Sequence, residues 1–274
     1  MPDLEIRPNS VSQTIDAVFK IYLQRFVPLV TIAAVVSAPI VLLQGIANLS
    51  LIDQLESADV DAITELSDVW DVIAPQNVAA SLLLAVLGWV AAALTSGAVV
   101  VVVADAYLGR LTTWQDALQR AMGRLGPLLI GSLLFGLGVA LGFIFFIIPG
   151  LILAVGWSVF GPAAVVEDIG GSQALGRAWS LTRGRRWPVL GAFLVMFIIV
   201  AILSSVIGAA LSSDPEFTFF DVVVNVVINI LTAPLMAATA GVLYLELRAR
   251  HEPFDRLQLS SELHRPDQPP PLVG

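Results

Sequence analysis

This chain predicts an all-α fold: a polytopic six-helix transmembrane bundle with three cytoplasmic interfacial amphipathic helices. Three observations predict it. First, its 274 residues are 57% hydrophobic and only 13% charged, whereas a soluble domain is about half apolar and about a quarter charged. Second, there are six apolar runs, at about 26–51, 78–104, 126–148, 149–166, 187–211 and 221–247. A helix needs roughly 20 residues to cross a bilayer. The fourth run is the shortest, and a re-entrant segment is its alternative. Third, one device occurs three times: an amphipathic stretch with a glutamine near its start and an Arg-x-x-Pro end, leading into an apolar run. The copies are Ser10 to Pro28, Thr112 to Pro127 and Gly170 to Pro188, with Gln13, Gln115 and Gln173 near their starts. This recurrence fits three tandem parallel repeats, each an amphipathic helix followed by two spans.

Taken in order, each copy reads as a helix. Ser10 with Gln13, and Thr112 with Gln115, have the spacing of a capping box. In the first copy Val11, Ile15, Val18, Phe19, Tyr22, Leu23 and Phe26 recur at steps of three and four, which marks one helical face; Ser12, Asp16, Lys20 and Gln24 lie opposite. The second copy repeats this with Trp114, Ala117, Leu118, Ala121, Met122 and Leu125. In the third, Leu175, Ala178, Trp179 and Thr182 oppose Arg177 and Arg183. Such helices lie in the headgroup plane with their bases toward anionic lipid; the plainer alternative is helices that cap the bundle. Pro28, Pro127 and Pro188 suit the first turn of the span that follows, where a missing N–H costs nothing.

The spans carry few polar marks. Span one holds Pro39, Gln44 and Asn48. The loop after it contains Val60, Ile63, Leu66 and Trp70, the pattern of a short acidic amphipathic helix. Span three has Gly131, Gly136, Gly138 and Gly142, small residues that allow close helix approach in lipid. The stretch Phe145 to Gly150 is a tight turn that makes spans three and four a hairpin. Residues 1–250 are read as one membrane domain and 251–274, polar and proline-rich, as a disordered cytoplasmic tail. The first apolar run is too long for the roughly 7–15-residue core of a signal peptide.

Charge placement sets the expected topology. All 14 Lys and Arg fall in four segments, at 7–25, 110–124, 177–186 and 248–265, and the intervening segments 52–77, 148–150 and 212–221 hold ten acids and no base. The positive-inside rule puts both termini and both basic loops in the cytoplasm. Thirteen of the 14 bases are arginine, which fits a GC-rich prokaryote and its inner membrane. With no cysteine there is no thiolate or disulfide chemistry, and a net charge of −8 argues against a nucleic-acid partner.

Chemistry-bearing constellations are sparse. The only histidines, His251 and His264, lie in the tail, so no metal-ligand cluster is expected, and no cofactor. No phosphate-cradling glycine loop, nucleophile elbow or triad is present. Asp105 and Glu246, at span ends, are expected to pair with arginine. On span six Asn225, Asn229, Thr232 and Thr239 form one stripe beside Pro234. It reads as a helix-packing seam, with a path for a small polar solute as the alternative. The basic residues Lys20, Arg25, Arg120, Arg124, Arg177, Arg183, Arg185 and Arg186 are the candidate lipid-headgroup contacts.

The residues Pro149-Gly150, Trp157, Pro162 and Glu167, then Ala174-Leu175, Ala178-Trp179 and Thr182-Arg183-Gly184, carry a resemblance. So do Arg7-Pro8, Phe26 to Leu29, Tyr244 to Arg248 and Phe254-Asp255. Over roughly residues 5–257 the chain resembles the prokaryotic membrane domain associated with glycerophosphodiester phosphodiesterases, which also occurs alone in YciC-like inner-membrane proteins. The resemblance implies a six-helix membrane domain and brings no catalytic residue, because the phosphodiesterase activity of such fusions belongs to a separate soluble domain. The expected function is therefore a non-catalytic membrane module that engages anionic lipid headgroups or scaffolds a protein partner; a small polar solute transporter or channel is the alternative.

Overall fold

The computed structural model describes residues 10–57, 75–211, 218–252 and 256–263, and every regular element among them is an α-helix. The short acidic helix expected around Val60 to Trp70 lies outside the described residues. Five helical segments are long and apolar enough to cross a bilayer: Val78–Tyr107, Leu125–Phe145, Ile147–Val166, Arg186–Leu211 and Phe219–His251. The first apolar run is divided, so the chain has about five to six such elements.

Each copy of the repeated device opens as an amphipathic helix and then breaks. The first gives α1 (Val11–Gln24) and α2 (Phe26–Val36), with Arg25 between them and a bend of 80°. The second gives α5 (Trp114–Gly123) and α6 (Leu125–Phe145) around Arg124. The third gives α9 (Gly171–Thr182) and α10 (Arg186–Leu211), separated by a turn with Gly184 at φ +81°. Pro28, Pro127 and Pro188 each occupy the third position of the second helix. That is the first turn, where no intrahelical N–H bond is lost.

Of the two expected capping boxes, Ser10 with Gln13 forms and Thr112 with Gln115 does not, while the third start makes the same bond as the first. Gln13 and Gln173 each stand third in their helix and accept from the backbone N–H of Ser10 (2.9 Å) and Gly170 (3.2 Å). The second start differs. The cap is Thr113, not Thr112, and its hydroxyl accepts from the Asp116 N–H at 3.2 Å. Asp116 occupies the third helical position there, and an acid in the first turn also suits the helix dipole.

Two spans are broken by proline. Span one continues from α2 into α3 (Ala38–Ser57) after an interruption at Ser37. Pro39 cannot donate to the carbonyl four residues back, so the ladder opens ahead of it. The Ser37 hydroxyl is hydrogen-bonded to that of Thr95 at 2.9 Å, which fastens the break to α4 (Pro75–Tyr107). Span four likewise divides into α7 (Ile147–Trp157) and α8 (Phe160–Val166), with Pro162 third in α8. Phe146 alone links α6 to α7, the tight hairpin expected there. Gly138 faces the Trp157 ring and Gly142 faces the backbone of Gly150, so side chains at either glycine would keep the two helices apart.

The last span, α11 (Phe219–His251), is the axis of the bundle. From Thr232 to Arg248 most of its residues are buried, and it packs against α1, α2, α3, α4, α8, α9 and α10. By contrast, only 11% of the most apolar window of α10 and 17% of that of α6 is buried. These helices present Leu137, Ile144, Phe197 and Ile202 outward, an apolar surface far larger than a water-soluble monomer tolerates.

The amphipathic helices lie across the helical hairpins. α5 packs on α4 and α2, α9 on α8, α7 and α6, and α1 on α11 and α10. Each therefore covers the hairpin that precedes it, and α1 covers the last one. The buried face of α1 is Thr14, Ile15, Val18, Ile21 and Tyr22. Leu23, expected on that face, is 72% exposed, because the seam follows Thr14 and Ile21 instead.

Candidate functional site

The amphipathic helices bring polar groups to carboxylates, two of them buried, at the ends of the spans they cross. From α1 the Thr14 hydroxyl donates to Glu246 Oε2 at 2.8 Å. From α5 Arg120 Nη1 donates to Asp105 Oδ2 at 3.2 Å, and the Thr112 hydroxyl reaches the same oxygen at 2.5 Å. From α9 Arg177 Nε donates to Glu167 Oε1 at 2.7 Å and Oε2 at 2.9 Å. Asp105 and Glu246 are 1% and 5% exposed. Buried carboxylates are costly unless hydrogen-bonded or paired, so each helix is held in place by the acid it satisfies. The expected pairing of Asp105 with arginine is found in Arg120.

Around Glu167 the bonds close into a ring. Arg177 Nη2 donates to Glu252 Oε1 at 2.5 Å, and Arg248 Nε donates to Glu252 Oε2 at 3.0 Å. Arg248 Nη1 reaches the Tyr244 hydroxyl at 3.1 Å, and that hydroxyl donates to Glu167 Oε1 at 2.7 Å. Five side chains from the Glu167 turn, α9 and the end of α11 are thus joined. Both arginines act as two-armed donors, the geometry that suits guanidinium and carboxylate. Burial would push the Glu252 carboxyl up, but the hydrogen bonds from Arg177 and Arg248 outweigh it and hold its pKa below the ordinary value. Burial opposes the charge on Arg177 too, yet its bonds to Glu167 and Glu252 raise its pKa.

A sixth member comes from a region expected to be unstructured. Residues Arg256–Leu263 form a helix, α12, rather than part of a disordered tail. Leu259 is fully buried, and Glu262 takes a bidentate pair from Arg248 at 2.5 and 2.6 Å. Leu263 also packs partly against the core. Ser260 also accepts from Arg110 Nη2 at 3.1 Å.

The eight predicted headgroup contacts divide by environment. Arg120 and Arg177 turn to Asp105, Glu167 and Glu252, and Arg124 pairs with Asp168. Arg25 Nη2 donates to the Arg110 carbonyl at 2.6 Å, and Lys20 is half-buried on α1. Arg186 stacks over Trp179 with its guanidinium carbon 3.9 Å from the ring centroid. Arg183 and Arg185 are exposed at the α9–α10 turn, next to Trp187, which is 81% exposed. Sequence reasoning missed Tyr244, Glu252 and Glu262 as partners. The steps of four from Tyr244 to Arg248 to Glu252 were a usable signal; Glu262 offered none.

The span-six stripe is held by its own helix. The Thr232 hydroxyl donates to the Ile228 carbonyl at 2.7 Å and Thr239 to Leu235 at 2.8 Å. Asn225 Nδ2 donates to the Asp221 carbonyl at 2.8 Å. Asn229 Oδ1 is buried with no hydrogen-bond partner among the described residues. Pro234 sits within the helix without ending it, and nearby the Leu231 carbonyl accepts the Tyr22 hydroxyl at 2.9 Å. Among the described residues no group of histidine and acidic side chains could hold a metal ion.

A family profile described as a domain of unknown function (DUF7847) matches residues 6–246, most of the chain, and the chain belongs to that family. No curated protein and no solved structure matches it.

Proposed function

We propose that this member of the DUF7847 family is a non-catalytic, multi-pass prokaryotic inner-membrane module that engages anionic lipid headgroups at its cytoplasmic edge. The observation that carries this reading is the exposed group Arg183, Arg185 and Trp187, where α9 turns into α10. Five of the other predicted bases are turned to carboxylates, a carbonyl or an aromatic ring of the protein itself. This edge remains open, directly beside the apolar outer face of α10. Tryptophan and arginine at such a level anchor a protein in the interface, and each base near an anionic leaflet is worth about 1 kcal/mol.

In this reading the six spans form three parallel repeats, each amphipathic helix resting on the hairpin before it, with both termini in the cytoplasm. The likeness to the membrane domain associated with glycerophosphodiester phosphodiesterases belongs to the same reading. The back-bonded threonines favour a packing seam on span six over a solute path. The test is the lipid retained by the purified protein, counted by mass spectrometry against the bulk membrane. Anionic lipid should be enriched around the wild-type chain and less so around Arg183→Gln with Trp187→Ala. Retained lipid of bulk composition would overturn the reading.

A further inference from the structure

A groove of about 480 Å³ lies between α9 and the α6–α7 hairpin, within the roughly 300–1,000 Å³ of small-molecule sites. From α9 come Ser172, Gly176 and Trp179, at steps of four and three that put them on one helical face. From the hairpin come Leu134, Leu153 and Trp157. The two indoles are fixed walls: Trp157 lies on Gly138 and Trp179 on Gly156, with no room for a side chain at either glycine. Over Gly176 the space is open, with nothing within 4 Å of where a Cβ would stand. Trp179 also carries Arg186, whose guanidinium carbon is 3.9 Å from the ring centroid. Arg120, Arg124 and Arg177 turn to carboxylates, whereas half-buried Arg186 turns to this ring. Its Nε is buried with no hydrogen-bond partner among the described residues. From 169 to 213 the chain carries four arginines and no acid.

We propose that this groove seats one acyl chain of an anionic phospholipid, whose phosphate is held at Arg186. The occupant follows from what adjoins the groove. Its hairpin side is continuous with the exposed apolar faces of α6 and α7, at Leu133, Leu137 and Ile152, so hydrocarbon surrounds it. An apolar groove left unfilled there forfeits the dispersion contacts of its open side, and a lipid chain is the filler of matching chemistry. The headgroup follows from Arg186: a guanidinium stacked on an aromatic face still presents donors along its edge, in the fork that suits a phosphate. A rim of arginines without an acid repels the trimethylammonium of a phosphocholine lipid and favours a headgroup with net negative charge. The inference rests on the membrane reading above but on other residues than the Arg183 and Trp187 edge.

The test uses the full chain in phosphatidylcholine vesicles. Tryptophan fluorescence is followed as lipid with brominated acyl chains, a contact quencher, is substituted in. Brominated phosphatidylglycerol should quench in a saturable step, at a mole fraction at least tenfold below that needed by brominated phosphatidylcholine. Gly176→Leu, which fills open space at an exposed position, should abolish the step, and Ser172→Leu on the same face should do likewise. Arg186→Gln should bring the responses to the two lipids together. Gradual quenching alike for both lipids in the wild type, or an unchanged step in both leucine variants, would overturn the groove. A step lost in Arg183→Gln with Trp187→Ala but kept in Arg186→Gln would overturn the place given to the phosphate. Soluble glycerol phosphate competing as strongly as unbrominated phosphatidylglycerol would overturn the lipid in favour of a soluble ligand. Retained anionic lipid at the Arg183 and Trp187 edge should persist in Gly176→Leu, so failure of the groove and failure of the edge are read separately.

Discussion

Thr14, in the first helix, donates its hydroxyl to Glu246, near the end of the last, across 2.8 Å and 232 residues of sequence. The bond places α1 on the final hairpin in the same relation that α5 and α9 bear to the first and second. It therefore ties the first amphipathic helix to the last hairpin of the chain. The same hydroxyl also faces the Ser10 carbonyl at 3.0 Å, within its own helix.

Thr14→Val keeps the shape of the side chain and removes the donor. Taking a partner from a buried polar group costs about 1–3 kcal/mol, toward the upper end when that group is charged. A melt in detergent should show the loss, and Thr14→Ser should recover most of it. An unchanged midpoint in the valine variant would mean that the bond does not hold α1.

The ring around Glu252 makes a statement about pH. Its carboxyl is held below its ordinary value, so its contribution is fully present above the unfolded value, about 4.3 for glutamate. It is lost as pH falls through the lower, folded value. Stability should be flat from neutral pH down to about 5 and then decline. Glu252→Gln should be less stable than wild type at neutral pH, with the gap narrowing on acidification. A gap that widened in acid would reverse the sign of the argument.

Two glycines of α9 should respond oppositely to alanine. At Gly171 a methyl would collide with the backbone of Pro127 and Gly131, where the start of α9 meets α6. Overpacking of this kind costs about 1–3 kcal/mol. At Gly176 nothing lies within contact distance, and alanine in a helix is favoured over glycine by up to about 1 kcal/mol. Melting the two variants side by side checks the packing of α9 directly.

Asn229→Leu removes a buried oxygen that has no partner among the described residues. Its effect on stability should stay within about 1–2 kcal/mol, and the permeability of proteoliposomes to small polar solutes should not change. A folded variant that lost a measurable wild-type flux would favour the transporter.

Much of this architecture could be read from local rules. Gln13 and Gln173 mark helix starts, and Pro28, Pro127 and Pro188 the first turns of spans, because caps and proline act on the backbone within a few residues. Pro39 and Pro162 carried the same signal for the breaks at Ser37 and Ser158, though apolar runs alone suggested unbroken spans. The destinations of the arginines were harder to read. Arg120 and Arg177 reach acids 15 and 10 residues away across a turn, separations that no helical periodicity encodes. An amphipathic pattern shows that such a side chain lies off the apolar face; it does not distinguish a headgroup from a carboxylate of the bundle. Docking of α12 depended on a tertiary partner, Arg248, and was invisible for that reason.

Central to the account is a six-span chain with its amphipathic helices on the cytoplasmic side, and single-cysteine labelling tests it most directly. The sequence contains no cysteine, so each introduced thiol reports alone. With a membrane-impermeant reagent, Ser57→Cys and Ser213→Cys should label in intact cells, and Ser180→Cys, exposed on α9, only after lysis. Labelling of position 180 in intact cells would contradict the account.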